Sequence, residues 1–434
     1  MQRNLSFDQG PPLAIPLLYF LSAPLFAVAA GVLLLLQGPD AFASRWTSAT
    51  LAATHLLTLG FLAMTMIGAL LQILPVLAGV QIPQPTLTAR CVHALLTGGT
   101  ALLTAAFWWS QPNLFKLALL CLGTAFIWLL AACAMGLWRA RSVVSTATVS
   151  TIRMSICALL MTVMLGASLA SAFAWPLGLP LILLTDLHVA WGLLGWVGLL
   201  VIGVAFQVMP MFLVTPLYPQ LVTRWLALLL FVLLVLWSAA AVAFEQDQQW
   251  IRHALALLIL AGFIVFAVTT LYLLWRRKRP KADATTLFWR TAMASILGCA
   301  VIWLMPYGSG DPVMPITLGA MFIVGFGYSV VNGMLYKIVP FLVWYHLQST
   351  NAAERKLVPG VRNILPDTIA IRQFWSHLAA LVLLIGATLW PAALTGSAAI
   401  ALCLSSGWLW WNLYSASRVY ARIRKICAST LVVT

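Results

Sequence analysis

Two of the six histidines, His55 and His188, lie near one end of long apolar stretches. An ionisable side chain is costly inside a membrane, and residues of this kind usually serve a function. Neutral imidazole is also a common ligand of iron and other transition metals. The two histidines are therefore the first candidates for a metal or cofactor site. The alternative is that each imidazole only hydrogen-bonds a backbone carbonyl.

The stretch that contains His55 carries a motif that occurs in three copies. Each copy has a glycine, an aromatic residue, a second glycine, a polar residue and a proline at the same spacing. The copies are Gly60, Phe61, Gly68, Gln72 and Pro75; Gly195, Trp196, Gly203, Gln207 and Pro210; and Gly325, Phe326, Gly333, Lys337 and Pro340. A repeat at a fixed period indicates a multiplied structural unit. The predicted units span residues 11–142, 147–281 and 284–425.

The composition indicates an integral membrane protein. The chain is 63% hydrophobic and 8% charged, which lies outside the range of soluble domains, and its apolar runs are long enough to cross a bilayer as helices. The prediction is an all-α polytopic protein with twelve transmembrane helices in three four-helix repeats. The helices are expected to begin near Leu13, Thr47, Thr88, Asn113, Val149, Pro180, Thr223, Gln249, Thr286, Pro312, Gln373 and Gly396.

Basic residues set the expected orientation. The net charge of +15 comes mainly from clusters at one set of helix ends, so it predicts a topology and no nucleic-acid partner. Only Arg45, Lys116 and Arg252 of the 24 Lys and Arg residues fall on the opposite side. Cytoplasmic loops carry the basic excess. This predicts a bacterial-type inner membrane, both termini in the cytoplasm, and an inner surface loop over residues 346–371.

Helix geometry predicts that His55 and His188 face each other. At 100° per residue, His55 lies about 220° around its helix from Gly60, whereas His188 lies about 20° from Gly195. In a threefold ring of helices, these opposed directions point into one gap between helices 2 and 6. Their depths differ by about 3 Å. Two imidazoles in one apolar gap suit a haem iron.

The remaining polar residues have structural explanations that compete with functional ones. The other four histidines, His93, His253, His346 and His377, fall near helix ends or in the inner loop, where an interfacial position accounts for them. Asp186 is placed in the first turn of helix 6, where the helix dipole favours a carboxylate. A role beside the histidine site is the alternative for Asp186.

The repeated motif has two possible uses. Close helix packing explains its glycines as a set, and room for a flat cofactor beside Gly60 and Gly68 is the alternative. The polar triplet Gln72, Gln207 and Lys337 is expected to form a ring that closes the inner vestibule. The alternative is that these side chains extend to the membrane interface, which suits Lys337 best.

These residues resemble a known family. The HLLTLGF segment from His55 to Phe61, with Gly68 and Pro75 following, looks like helix 2 of the haem-binding NnrS family, relatives of subunit I of the haem-copper oxidases. The resemblance implies haem b held by His55. The oxidases also carry haem-ligating histidines on helix 10, but here Ala320 stands at the position that matches His55. Met314 and Met321 are the only soft ligands near it.

The departures from the oxidase pattern limit the functional expectation. A copper centre needs a histidine cluster, and the chain has no His-His pair, so an incomplete copper site at His188 is a weaker alternative. The expected function is haem b binding with a redox or nitric oxide role, a gas ligand or redox donor as partner, and no proton-pumping oxidase activity. The competing hypotheses are a permease for a small molecule or metal and a non-catalytic assembly subunit.

Overall fold

The computed structural model describes residues 10–140, 146–243, 249–279, 281–305, 313–348 and 358–431, and it is helical throughout, without strands in these residues. Twelve of the described helices are long and apolar enough to cross a membrane. The predicted fold class is therefore confirmed. We label these helices α1–α12: Ala14–Phe42, Ser48–Leu77, Pro85–Trp109, Pro112–Arg139, Ala147–Ala174, Leu181–Leu213, Val222–Ala243, Gln249–Trp275, Ala284–Leu304, Val313–Gln348, Asp367–Leu389 and Pro391–Ile426.

Most helix starts agree with the apolar runs, but α11 and α12 begin earlier than predicted. The first turn of α11 contains Asp367 and the first residue of α12 is Pro391. Proline is favoured in a first turn because the missing N–H has no helical partner there. A polar first turn thus extends α11, and a first turn that opens with proline extends α12, beyond the starts predicted from hydropathy.

The inner loop is shorter than the predicted 346–371. Helix α10 continues to Gln348, α11 begins at Asp367, and the short helix Val361–Ile364 lies between them. Residues 349–357 of the predicted loop lie outside the described residues.

The helices form an outer ring around three central helices. In the described residues, α1, α3, α4, α5, α7, α8, α9, α11 and α12 each pack against the next, and α12 closes the ring on α1. The contacts between the predicted units, α4 with α5, α8 with α9 and α12 with α1, are equivalent in this arrangement. In the most apolar window of α2, α6 and α10, 78%, 72% and 61% of the residues are buried, compared with at most 50% in the outer helices. The helices that carry the repeated motif are therefore the central ones.

Each central helix contains a π-helical segment at the same place in the repeat. The segments are Leu56–Ala63 in α2, Ala190–Gly198 in α6 and Met321–Tyr328 in α10. π-helical turns are rare and often accompany functional sites. Two of these segments are in direct contact, since Phe61 of α2 stacks on Tyr328 of α10 with ring centroids 3.7 Å apart.

The repeated glycines bring each central helix against the first helix of its own unit. A Cβ atom on Gly68 would lie 2.6 Å from Cβ of Tyr19 on α1, and one on Gly203 would lie 2.8 Å from Cβ of Thr151 on α5. On α10, a Cβ atom at Gly333 would lie 2.7 Å from Cβ of Phe288 on α9. Small residues allow this close approach of backbones in a membrane. The same helix pair is thus built in the same way three times.

Candidate functional site

The structure places His55 and His188 side by side in the gap between α2 and α6. Their ring centroids are 6.3 Å apart and the ring planes are inclined by 22°. Both side chains are partly buried. Two ionisable groups from different units therefore meet within an apolar part of the bundle, where a polar pair is expected to have a function.

Each imidazole hydrogen-bonds a backbone carbonyl, as the alternative explanation of the two histidines expects, and these hydrogen bonds fix the tautomer of both rings. Nδ1 of His55 lies 2.7 Å from the Leu51 carbonyl oxygen one turn earlier in α2. Nδ1 of His188 lies 3.0 Å from the Thr162 carbonyl oxygen of α5. A carbonyl oxygen only accepts, so each Nδ1 carries the hydrogen and donates it. The lone pair is then on Nε2, and in the described part of the chain neither Nε2 has a hydrogen-bond partner. This is the tautomer in which histidine binds a metal through Nε2.

Both histidines lie directly before a π-helical segment. His55 is the last residue before the segment of α2, and His188 is separated from the segment of α6 by Val189 alone. The prediction of their facing positions assumed ideal α-helical turns up to Gly60 and Gly195, but the wider π turns intervene. Since the rings nevertheless meet, the helix directions and the shared depth matter more than the assumed angle.

An aromatic cluster adjoins the histidine pair. The His55 ring lies nearly parallel to Phe107 of α3, with centroids 5.3 Å apart. Phe107 in turn contacts Phe115 of α4 and Phe173 of α5, at 5.0 Å and 5.7 Å between centroids. These rings place apolar surface beside the imidazoles and limit the access of water to them.

Gly166 of α5 forms the wall behind His188. A Cβ atom at this position would lie 2.9 Å from Cε1 and 3.3 Å from Nδ1 of the His188 ring. The glycine therefore leaves the space that the imidazole occupies. Thr162, whose carbonyl accepts from His188, is on the same helix one turn earlier, so α5 both supports the ring and anchors its Nδ1–H.

An ion pair joins the two helix starts above the histidines. Nη1 of Arg45, in the segment before α2, lies 2.9 Å from Oδ1 of Asp186 on α6. Because α6 begins at Leu181, Asp186 lies in its second turn and not in the first turn as predicted. The Asp186 carboxylate therefore interacts with the guanidinium group of Arg45 as well as with the helix dipole. The side chains of Arg45 and Asp186 are 34% and 32% exposed, so this ion pair adds little to the free energy of unfolding. Its main effect is to fix the start of α2 against the start of α6.

The histidine pair supplies two nitrogen donors, which is fewer than a protein usually provides to a free metal ion. No group of three or more His, Cys, Asp or Glu side chains that could hold a metal ion occurs among the described residues. Haem iron needs only axial ligands from the protein, since the porphyrin supplies the others. Two imidazole nitrogens that bind one metal at ~2.0–2.1 Å each lie about 4 Å apart. The ring centres of His55 and His188 are 6.3 Å apart, which leaves room for the two nitrogens to approach this separation.

Gly60, Gly68 and Met321 do not join the histidine pair. The space beside Gly60 is filled by Phe26 of α1, whose Cγ would lie 2.4 Å from an added Cβ. Tyr19 fills the space beside Gly68 in the same way. The terminal methyl of Met321 packs on Gly298 of α9. The glycines therefore serve helix packing, and Met321 belongs to the third unit.

The polar triplet does not form a ring in the described part of the chain, where no hydrogen bond joins any two of Gln72, Gln207 and Lys337. Lys337 is paired with Asp283, the residue before α9, at 2.8 Å between Nζ and Oδ2. It is therefore not part of a ring, and its ammonium group lies at the helix end beside the residue that precedes α9, as the interfacial alternative expects. A cavity of about 70 Å³ lies between the three central helices. It is lined at this depth by the neighbouring residues Ile73, Val208 and Ile338, so apolar side chains face the axis.

Asp283 holds Lys337 with its carboxylate and caps α9 at the same time. Its Oδ1 accepts hydrogen bonds from the backbone N–H and the hydroxyl of Thr286, at 3.0 Å and 2.7 Å. Burial raises the pKa of the Asp283 carboxyl, but the Lys337 charge and the hydrogen bonds outweigh burial and bring the pKa below its ordinary value. This cluster stabilises the contact between α9 and α10.

The interfacial explanation is wrong for His377. This side chain of α11 is 1% exposed, and its Nε2 lies 2.8 Å from Oγ of Ser329 on α10. His93 is partly buried and lies 2.7 Å from Ser22 of α1. His346 lies in the last turn of α10 and not in a loop. His253 is exposed and bonded to the Gln249 carbonyl of its own helix, as an interfacial residue is expected to be.

Sequence reasoning missed the residues of α5 that support the site. Thr162 acts through its backbone carbonyl and Gly166 through the absence of a side chain. Neither residue type indicates such a role by itself. The four-residue spacing of the two on one helix face becomes informative only when α5 is known to pack beside His188.

The fold and the site define a twelve-helix membrane protein with a histidine pair between two of its three central helices. No family model and no curated protein matches the sequence. The likeness to the NnrS family and the haem-copper oxidases therefore remains a hypothesis, supported by the motif around His55.

Proposed function

We propose that this protein binds one haem b in the gap between α2 and α6, where Nε2 of His55 and Nε2 of His188 would hold the iron. The observation that carries the proposal is the matched state of the two imidazoles. Each donates its Nδ1–H to a backbone carbonyl, and each has Nε2 available. Second-sphere hydrogen bonds of this kind orient metal-binding histidines and increase their basicity.

The surroundings of the histidines support a redox role. A bound haem supplies one-electron chemistry. Leu51 and Thr162 hold the two rings in a fixed orientation through their carbonyls. Phe107 provides apolar surface that limits solvent at His55, and a site of low polarity influences the redox potential. With both imidazoles engaged, electron transfer is the function that this geometry favours.

A gas-binding role depends on His188. Loss of this ligand would leave a position open for a small molecule such as nitric oxide, and the state of His188 thus separates the redox role from a role in nitrosative stress. His55 is held by its own helix, whereas His188 is held by a neighbouring helix. Relative movement of α5 and α6 therefore changes the hydrogen bond of His188 and not that of His55. The proposed location is a bacterial-type inner membrane with both termini in the cytoplasm, which the distribution of basic residues supports.

Absorption spectroscopy of the purified full-length protein tests the proposal. The wild type is expected to show a Soret band, a pyridine haemochrome of b type and a six-coordinate low-spin oxidised spectrum. We expect His55→Ala to lose most of the haem. We expect His188→Ala to retain haem in a high-spin form, because one axial ligand remains.

His253→Ala provides a matched control, since this histidine is exposed and bonded to its own helix. Its haem content and spectrum should equal those of the wild type. Full haem occupancy in His55→Ala would refute the proposal, and so would a wild-type protein that acquires no haem when haem is supplied. An unchanged low-spin spectrum in His188→Ala would refute the pairing of the two histidines.

A further inference from the structure

One face of α10 is polar where the corresponding faces of α2 and α6 are apolar. The repeat aligns Ser329, Asn332 and Tyr336 of α10 with Met64, Ile67 and Leu71 of α2 and with Leu199, Ile202 and Phe206 of α6. All nine side chains are buried. Since two of the three units fill this position with apolar residues, the fold itself does not require polar groups here.

The polar face of α10 meets polar residues of the two following helices. Ser329 contacts His377 of α11 at 2.8 Å, and the Tyr336 hydroxyl accepts a hydrogen bond from Asn412 of α12 at 2.9 Å. Gln373, one turn before His377 on α11, donates to the carbonyl oxygen of Ser405 on α12 at 3.1 Å. We call Ser329, Asn332, Tyr336, Gln373, His377 and Asn412 the third-unit polar cluster.

Several atoms of the third-unit polar cluster have no partner among the described residues. They are Nδ2 and Oδ1 of Asn332, Oε1 of Gln373 and Nδ1 of His377. Asn332 and Gln373 are 0% exposed and His377 is 1% exposed. Lipid offers no hydrogen bonds, so polar groups in a membrane must be satisfied by the protein or by ordered water.

The kinds of unpartnered atom define what could bind them. Asn332 Nδ2 can only donate, and Oδ1 of Asn332 and Oε1 of Gln373 can only accept. A cation would satisfy the oxygens and leave the Nδ2 donor without a partner, and an anion would do the reverse. A neutral molecule that both donates and accepts satisfies all of them, and water is the smallest such molecule.

The cluster also extends toward the basic side of the bundle, where the Lys and Arg clusters lie. Along α10, Ser329, Asn332 and Tyr336 follow one face at spacings of three and four residues. The next residue after Tyr336 is Lys337, which is paired with Asp283 at the start of α9. The polar row on α10 therefore runs from Ser329, which contacts His377, toward the helix end at which Lys337 pairs with Asp283.

We propose that the third-unit polar cluster binds ordered water and connects His377 with the basic side of the bundle. The site takes water molecules that exchange with bulk solvent from the basic side of the bundle. This inference is independent of haem binding, because it concerns α10, α11 and α12 and none of the proposed ligands.

Radiolytic hydroxyl labelling of the full-length protein tests the proposal, since buried side chains react when an ordered water lies beside them. Tyr19 is the control, because it is 0% exposed and its hydroxyl donates to the Ala89 carbonyl. We expect Tyr336 and His377 to be labelled several-fold faster than Tyr19 in the wild type. Equal, slow labelling of all three would overturn the proposal.

Two further measurements separate binding of water from its connection with the surface. Rapid mixing with H₂¹⁸O before irradiation should introduce ¹⁸O at Tyr336. Modification that contains only unlabelled oxygen would overturn the connection with the basic side. In Asn332→Ile, which restores the residue of the other two units, labelling of His377 should fall to the level of Tyr19. Unchanged labelling in this variant, or in Gln373→Leu if Asn332→Ile does not fold, would overturn the assignment of the site.

Discussion

Replacement of Gly166 by alanine is the sharpest perturbation of the histidine pair that leaves both ligands in the chain. The added Cβ would lie 2.9 Å from Cε1 of His188, whereas ordinary contacts begin at 3.4 Å. The ring must therefore retreat by about 0.5 Å, the difference between these distances. Gly166 lies within α5, so the backbone cannot easily move instead.

The displacement acts on the hydrogen bond that fixes His188. Nδ1 lies 3.0 Å from the Thr162 carbonyl oxygen, and a shift of this size brings the distance to the limit of a useful hydrogen bond. Loss of a second-sphere hydrogen bond typically lowers metal affinity by ~10–100-fold. Since each factor of ten is about 1.4 kcal/mol, we expect haem binding to weaken by about 1.4–2.8 kcal/mol.

Haem titration into the haem-free protein, followed at the Soret band, gives the Kd for this comparison. Thermal unfolding of the haem-free variant shows whether the fold is intact, because alanine in a helix is itself more favourable than glycine by ~0.5–1 kcal/mol. Gly123→Ala on α4 is the control, since an added Cβ at Gly123 meets nothing within 4 Å. A Gly166→Ala variant whose Kd equals that of the wild type would show that His188 does not hold the haem. Failure of the wild type itself to bind haem would refute the proposed function.

Two other predictions concern stability. Gly68→Ala should lower Tm, because the added Cβ would lie 2.6 Å from Cβ of Tyr19 and overpacking typically costs ~1–3 kcal/mol. Gly98→Ala is the control and should leave Tm unchanged, since an added Cβ at Gly98 meets nothing within 4 Å. Equal Tm values for the two variants would contradict the packing role of Gly68. Asp283→Asn should lower the free energy of unfolding at neutral pH by about 1–2 kcal/mol, because Lys337 loses a partly buried partner. The pKa of Asp283 is lowered in the fold, so the stabilisation from the Asp283 carboxylate is fully present above the ordinary pKa of 3.8. This stabilisation is lost as the pH falls through the lower pKa of the folded state. If the free energies of unfolding of wild type and Asp283→Asn still differ by the same amount at a pH below the folded-state pKa, the explanation is contradicted.

The sequence was sufficient for the class and for the helix count because a bilayer imposes a simple rule. A helix that crosses the membrane needs a continuous apolar run, and all twelve runs became helices. The same rule fails at the polar ends. It missed the first turn of α11 at Asp367 and treated His346 as a loop residue, because hydropathy does not report where helical hydrogen bonding stops.

Pairings between distant residues were the least predictable part of the site. The meeting of His55 and His188 could be predicted because their helices and their shared depth were inferred from the repeat. The ion pair of Lys337 with Asp283 could not, since it depends on the side chain turning away from the axis of the bundle. His377 was assigned to the interface because its position near a helix end was visible and its burial against Ser329 was not.

The threefold repeat allows structural and functional residues to be separated within one chain. Where the three units agree, as at Gly68, Gly203 and Gly333, the residue serves a helix contact that each unit makes. Where one unit has a different residue at a position, the other two units form the same helix arrangement without it, so the fold does not require that residue. His55 corresponds to Ala190 and Ala320 in the other units.

The same comparison applies to the second ligand and to the polar face of α10. His188 stands where the other units have Ala53 and Leu318, and Asn332 stands where they have Ile67 and Ile202. In a membrane, each of these departures replaces a favourable apolar residue by a polar one that is costly to bury. Units 1 and 2 carry their departures at the shared gap between α2 and α6, and unit 3 carries its own within α10–α12. The two proposed sites thus belong to different copies of one structural unit, and substitutions that restore the common residue at each position test the two proposals separately.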